Sequence, residues 1–384
     1  MKKWMVVLAL LLSLAAGANA QEMQMRLFVS KETLQEQTAK QLIRLLEQEY
    51  PQAQWMLEME GEESLREQVL LNCAPQLAIC MPGEMRPWAK EGLLLPLTLA
   101  VQGQSRIQEE VLACCECDEQ LFMLPLLTRQ RKIAVNRDWF EAKRMEYLLS
   151  EIDHPVWYLS QFQQIIEEFA LHDVQAFEIW PPQEYSSAGL EAFVQALFGG
   201  RLMGENGANA VSAEIRAGVK WLCGMVHSGM IGYVSNREEA LERFINGKTP
   251  VFIDWTEETT QRFEARDEKQ TMEILLLPYP SSSGEMNRMF ELAGVSAFAG
   301  EDERMNELCM KAVAFLHEDQ GVQTILGRRR IARDDAVWIA DVLSYEGGAT
   351  LRALFAQALQ DMIENKTDAD ASLKVLQAAL DAAQ

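Results

Sequence analysis

Met25-Arg26-Leu27-Phe28-Val29 is a short apolar run that stops at Ser30-Lys31-Glu32, and the chain then repeats a simple alternation as far as Leu77-Ala78-Ile79-Cys80. Leu34, Thr38, Leu42, Leu45 and Leu46 recur at helical spacing on one face. Tyr50-Pro51 ends that helix, because the residue before a proline is pushed out of the α region. Trp55, Leu57 and Met59 follow at period two, the pattern of a half-buried strand. Residues 63–72 predict a second helix and 77–80 a third strand, broken by Pro82-Gly83. A helix over 84–90 is expected next, with Pro87 in its first turn and Gly92 at its C-cap. Strands alternating with helices specify a parallel sheet covered by helices, so the class is α/β.

The same reading extends along the chain. Strands are expected at 121–125, 133–135, 251–253 and 272–277, and helices at 159–170, 190–198, 213–227, 238–245, 306–318 and over most of 344–384. Pro280-Ser281-Ser282-Ser283-Gly284 is a polar loop rich in breakers, a candidate connection between lobes. The chain has 384 residues, too many for one compact core, so two lobes are expected.

The first residues read as an export signal. Lys2 and Lys3 are followed by an uncharged apolar stretch from Met5 to Ala16, short for a bilayer span. Gly17-Ala18-Asn19-Ala20 offers small residues for a cut before Gln21. Residues 1–20 are therefore expected to be removed. Gln21 stands where a lipid-anchored protein would need a cysteine, so the mature protein is expected free in the periplasm.

The formal charge is −22, and loss of Lys2 and Lys3 with the signal takes it to −24. Such a field repels nucleic acid and anionic membrane surfaces and favours neutral or cationic solutes over polyanions. Seven cysteines leave at least one thiol unpaired. Cys114, Cys115 and Cys117 lie together, but no second ligand pair or nearby histidine completes a tetrahedral metal site. Buried small residues or one disulfide account for them. His154, His172, His227 and His317 form no metal-binding spacing, so neither metal nor cofactor is expected.

The order of these features resembles family 1 extracellular solute-binding proteins, the group that contains maltose- and other sugar-binding receptors of ABC importers. Ala74-Pro75-Gln76-Leu77-Ala78-Ile79 is similar to a family strand entry in which aspartate usually stands at the Gln76 position. Gly92-Leu93-Leu94-Leu95-Pro96-Leu97 resembles the family's helix exit, and Ile133-Ala134-Val135-Asn136-Arg137-Asp138-Trp139-Phe140 its first crossing between lobes, without the usual tyrosine. Leu197-Phe198-Gly199-Gly200, Ala240 to Lys248 and Ala312 to Leu316 follow further family patterns, while Glu291-Leu292-Ala293-Gly294 follows its own only loosely.

The resemblance implies a two-lobed periplasmic-binding-protein fold of type II, with a hinge and a ligand cleft. The expected N-terminal lobe holds residues 21–130 and about 286–330, and the C-terminal lobe 131–285 and about 331–384. It implies a monomeric receptor with no catalytic residues, handing a small solute, a carbohydrate first, to a permease in the inner membrane. In open α/β sheets ligands sit beyond the carboxyl ends of strands. The candidates are Ser30, Glu84, Thr128, Arg129, Trp180, Glu184, Tyr185, Asp254 and Trp255. Aromatic faces suit the C–H surface of a sugar, and Asp, Glu or Arg suit its hydroxyls; Trp180 and Trp255 have core packing as their alternative role. Other readings are a receptor for a peptide, polyamine or osmolyte, a sensing subunit for a membrane kinase, and a glycan hydrolase with paired carboxylates. No nucleophile elbow, metal pair or phosphate loop supports the last.

Overall fold

The computed structural model describes residues 23–30, 33–61, 64–97, 107–150, 157–181, 188–204, 207–266, 272–327 and 336–383. The proposed export segment lies outside these residues. The chain divides into two compact units, one drawn from residues 1–80, 92–102 and 295–329 and the other from 81–91, 103–294 and 330–384.

The first unit opens with β1 (Met23–Val29), α1 (Glu36–Glu49), β2 (Ala53–Met59), α2 (Leu65–Leu70) and β3 (Leu77–Cys80). β1 lies between β2 and β3 and runs parallel to both, with Leu27 opposite Leu57 on one side and Leu77 on the other. Helix α1 turns Ala39, Leu42, Ile43 and Leu46 into the core. Tyr50 closes it by donating its N–H to the Leu46 carbonyl at 2.8 Å, and its ring meets Phe315 edge-on at 5.9 Å. Helix α2 is shorter than the expected 63–72 because Ser64 and Glu67 form a capping box that sets its start. Arg26 ties three elements together. Its guanidinium donates to Glu58 Oε2 at 2.6 Å, Gln68 Oε1 at 2.7 Å and the Cys73 carbonyl at 2.8 Å.

The second unit opens with α3 (Pro82–Lys90). This helix starts two residues before the expected 84, with Pro82 at its first position, so Pro87 falls inside it and not in the first turn. Gly83 is required there by close approach: a Cβ would sit 2.4 Å from the Tyr345 carbonyl oxygen and 2.5 Å from that of Leu343. The unit continues with β4 (Leu124–Gln130), β5 (Lys132–Asn136), α4 (Leu159–Leu171), α5 (Ala188–Phe198), α6 (Ala213–His227), α7 (Arg237–Ile245), β6 (Val251–Trp255), β7 (Ile274–Leu277), β8 (Asn287–Ala297), β9 (Val337–Ala340), α8 (Gly348–Glu364) and α9 (Ala369–Ala383). The last residues of β8 belong to the first unit. β5 is the centre of a three-stranded sheet, antiparallel to β6 and β7. β8 and β9 pair in parallel, Asn287 opposite Val337. The loop 280–284 lies within this unit.

Aromatic rings fill the second core. Phe162 of α4 stacks on Phe177 at 5.6 Å and meets Phe193 of α5 at 5.9 Å. Such pairs add roughly 0.5–1.5 kcal/mol beyond their buried area. Trp157 lies in the same core and donates Nε1–H to the Pro278 carbonyl at 2.7 Å.

All seven cysteines are free thiols; Cys73 is exposed and the other six are buried. Burial pushes the Cys114 thiol up to about 12 and the Cys115 thiol well above its usual value. The thiolate is the reactive form, so these groups are inert while the fold is intact. Titration of the native protein with a chromogenic disulfide reagent at pH 8 is expected to show one fast thiol, Cys73, and all seven after unfolding. Rapid modification of Cys114, Cys115 or Cys117 in the native state would contradict the packing described.

Candidate functional site

The end of β6 is irregular, and that irregularity builds the site. Phe252 pairs with Ala134 but Trp255 pairs with Lys132, so three steps on β6 match two on β5. The extra residue is a β-bulge over Ile253 and Asp254. A bulge breaks the in–out alternation of a strand, and here all five residues of β6 are buried, Asp254 at 1% exposure.

A carboxylate taken out of water needs partners for both oxygens. Arg131 donates through Nη1 to Asp254 Oδ1, and Arg237 through Nε to Oδ2. Arg237 also donates to the Asp254 backbone carbonyl at 2.9 Å, and its guanidinium lies 5.5 Å from the centre of the Phe252 ring. The other arm of Arg131 donates to Glu291 on β8. Burial pushes the Asp254 carboxyl upward, but Arg131 and Arg237 outweigh it and hold the group below the usual carboxylate range. Burial likewise opposes the charge on Arg131; Asp254 and Glu291 outweigh it and keep the guanidinium firmly charged.

Helix α5 abuts this group with its first turn. A Cβ on Gly189 would stand 2.4 Å from Asp254 Cγ, so only glycine lets the helix start approach the carboxylate. The positive end of the helix dipole there favours the negative charge. One residue pair further along, Glu191 of α5 accepts from Arg352 Nε at 3.0 Å, and Arg352 Nη2 donates to both oxygens of Asp341 at 2.7 Å. Glu191, Asp341 and Arg352 are all buried.

A hollow of about 190 Å³ opens where β5 begins and β7 ends, lined among others by Gln130, Arg131, Lys132, Pro278, Asn287 and Arg288. β6 and β7 both end at this edge, which is where ligands bind open α/β sheets. A larger hollow of about 770 Å³ lies where β6 starts, lined by Trp139, Glu178, Arg243, Lys248 and Thr249. There Arg243 Nε stands 2.5 Å from Glu178.

The residues expected from the sequence fall in different settings. Asp254 is the buried carboxylate at the end of β6, between Arg131 and Arg237. Thr128 and Arg129 lie in β4, partly exposed, just before the hollow. Trp180, expected to offer a ring face, is fully buried and stacks on Phe252 at 6.0 Å. Trp255 is 3% exposed, donates Nε1–H to Thr260 Oγ1 at 2.8 Å and packs edge-on against Phe244 and Phe263. Both rings are thus packed against other aromatic rings within the core. Glu84 Oε2 accepts from the Met81 N–H at 3.2 Å, capping α3. Ser30, in the first unit, is buried and donates its N–H to the Ile79 carbonyl at 2.9 Å. Glu184 and Tyr185 lie outside the described residues. Sequence reasoning missed Arg131, Arg237, Lys132, Arg288 and Glu291. The one local hint was the basic pair Arg131-Lys132 set between two apolar strands.

Asp254→Asn keeps the shape and removes the charge that two arginines share. The cost is expected at roughly 3–5 kcal/mol in denaturant unfolding at pH 7. Because the folded carboxyl titrates below the unfolded one, its contribution is complete above the unfolded value and fades as pH falls through the folded value. The gap between wild type and variant should therefore close in acid; a gap constant from neutral pH to acid would contradict the paired carboxylate. Gly189→Ala is expected to cost about 1–3 kcal/mol by overpacking, although alanine favours helix elsewhere. An unchanged or raised melting temperature would refute the close approach.

No protein-family model matches this sequence, and no curated protein matches it. Solved structures do. UgpB from Mycobacterium tuberculosis in complex with glycerophosphocholine superposes with a TM-score of 0.72 at 12% identity, covering 94% of this chain and 98% of that one. The sugar-binding protein MalE from the phytopathogen Xanthomonas citri gives 0.72 at 14% identity, covering 94% and 96%. An ABC substrate-binding protein from Listeria monocytogenes in complex with cycloalternan gives 0.70 at 11% identity, covering 94% and 99%. The α/β architecture read from the strand–helix alternation is thus the fold of these solved solute-binding proteins.

Proposed function

We propose that this chain is an extracytoplasmic solute-binding receptor that delivers a small carbohydrate to the permease of an ABC importer. The likeness to MalE, which extends over 94% of this chain and 96% of the other, carries the reading. The two compact units are then the two lobes of such a receptor, and residues 1–20 an export signal cut before Gln21 that sends a monomer to the periplasm. The chain binds its solute and does not turn it over. The solute meets the edge at which β6 and β7 end. Thr128, Arg129 and Lys132 offer hydrogen-bonding groups there, while Asp254 acts from beneath by holding Arg131 in place.

The mature protein should be screened by thermal shift against sugars, amino acids, polyamines and peptides. A true solute at about 100 times its dissociation constant adds roughly 2.7 kcal/mol of stability. Stabilisation by a mono- or oligosaccharide is the expected outcome. Stabilisation by peptides or polyamines with no sugar effect, or turnover of a glycan by pure protein, overturns the reading.

A further inference from the structure

The larger hollow, about 770 Å³, lies at the opposite edge of the β5–β6–β7 sheet from the proposed solute edge. Here β5 ends and β6 starts, with the Asn136 N–H donated to the Pro250 carbonyl at 2.8 Å and the Val251 N–H to the Ala176 carbonyl at 3.0 Å. Its described lining holds two carboxylates, Asp173 and Glu178, and two cations, Arg243 and Lys248, so its formal charges cancel. Glu178 sits in a two-residue strand, Glu178–Ile179, that pairs in parallel with Gly232–Tyr233, and only 4% of it is exposed. Its Oε1 stands 2.5 Å from Arg243 Nε, while its buried Oε2 has no hydrogen-bond partner among the described residues. Trp139 lines the wall, partly exposed. Its indole N–H is donated to the Gly247 carbonyl at 3.0 Å, so what it offers the hollow is ring surface.

A buried carboxylate oxygen left without a donor carries a cost that an incoming N–H or O–H removes. Burial also pushes the Glu178 carboxyl up, against the pull of Arg243, and a donor from outside would favour the charged form. The balance of charge selects among donors. An ammonium would be brought against Arg243 and Lys248, and an oxyanion against Asp173 and Glu178. A neutral hydroxyl meets neither penalty, and it can both donate to a carboxylate and accept from a cation. Ring surface beside a few polar groups is the usual lining of a small-molecule site, and the volume falls within the roughly 300–1,000 Å³ of such sites.

We propose that this hollow is a second binding site, for a neutral hydroxyl-rich molecule, a sugar or polyol, one of whose hydroxyls donates to Glu178 Oε2. The site does not depend on the receptor reading, and its test reads a signal local to the hollow. Glucose, maltose, sorbitol, putrescine and galacturonate are titrated into the mature protein while the Trp139 indole N–H is followed by NMR, its signal identified by its absence from Trp139→Phe. At least one neutral ligand is expected to shift that signal saturably, with putrescine and galacturonate binding there more weakly. Glucose and maltose against sorbitol distinguish a sugar ring from an open-chain polyol. Glu178→Met removes both oxygens at similar length. Checked for an unchanged fold by circular dichroism, it should weaken that ligand about tenfold or more and leave the solute found by the thermal-shift screen bound within about twofold of wild type. If Glu178→Met loses the fold, Lys248→Glu at an exposed position decides: the excess of carboxylates should put putrescine ahead of the neutral ligand. An unmoved Trp139 signal, an equal response to neutral and charged ligands, or a shift undiminished in Glu178→Met overturns the second site and leaves the receptor reading untouched. A failed solute screen beside a saturable Trp139 shift overturns the receptor reading and not this site.

Discussion

A single buried carboxylate organises the larger unit. Asp254 is driven inward by a bulge and could not stay ionised there alone. Arg131 comes from 123 positions before it and Arg237 from 17 before it, so their pairing with Asp254 fixes the start of β5 and the start of α7 against the end of β6. Glu291 extends the same charge path to β8, and Gly189 admits the first turn of α5. Five elements thus take their positions from one functional group. Removing that group would leave two guanidinium ions competing for what remains.

Buried ion pairs are weak evidence for net stability, because desolvation offsets much of the attraction. Their worth in this unit is geometric. Arg352, Glu191 and Asp341 repeat the motif a short way along α5, again with one arginine between two carboxylates from different elements. An apolar core would tolerate small shifts of α5; fixed forks on planar carboxylates do not.

Much of this architecture was legible in the sequence. Between residues 25 and 80 the elements fall in the expected order because each has its own period and its own stop, such as Tyr50-Pro51, although α2 is shorter than expected. Helix α6 falls on the expected 213–227 for the same reason. The eleven-residue strand β8 was not seen. It is buried on both faces, so it lacks alternation, and Arg288 and Glu291 interrupt its apolar run. Their charges are satisfied by residues distant in sequence, which no local pattern reveals. The candidate residues differ in setting for a related reason. Position near a strand end singled out Asp254, Trp180 and Trp255 alike, yet the partners that surround them, two arginines for Asp254 and Phe252, Phe244 and Phe263 for the tryptophans, come from elsewhere in the chain and leave no local pattern.

Net charge and local charge must also be kept apart. A chain of −22 suggests a distaste for anions, and at distances beyond a Debye length, about 8 Å in physiological salt, that is the correct expectation for encounter. Inside the fold the sum is taken pair by pair. Asp254 and Glu291, two of the acids that make the chain anionic, are also what holds Arg131 in place beside β5. Composition therefore bears on how a charged solute approaches from a distance, whereas contacts within the fold depend on which charges are paired.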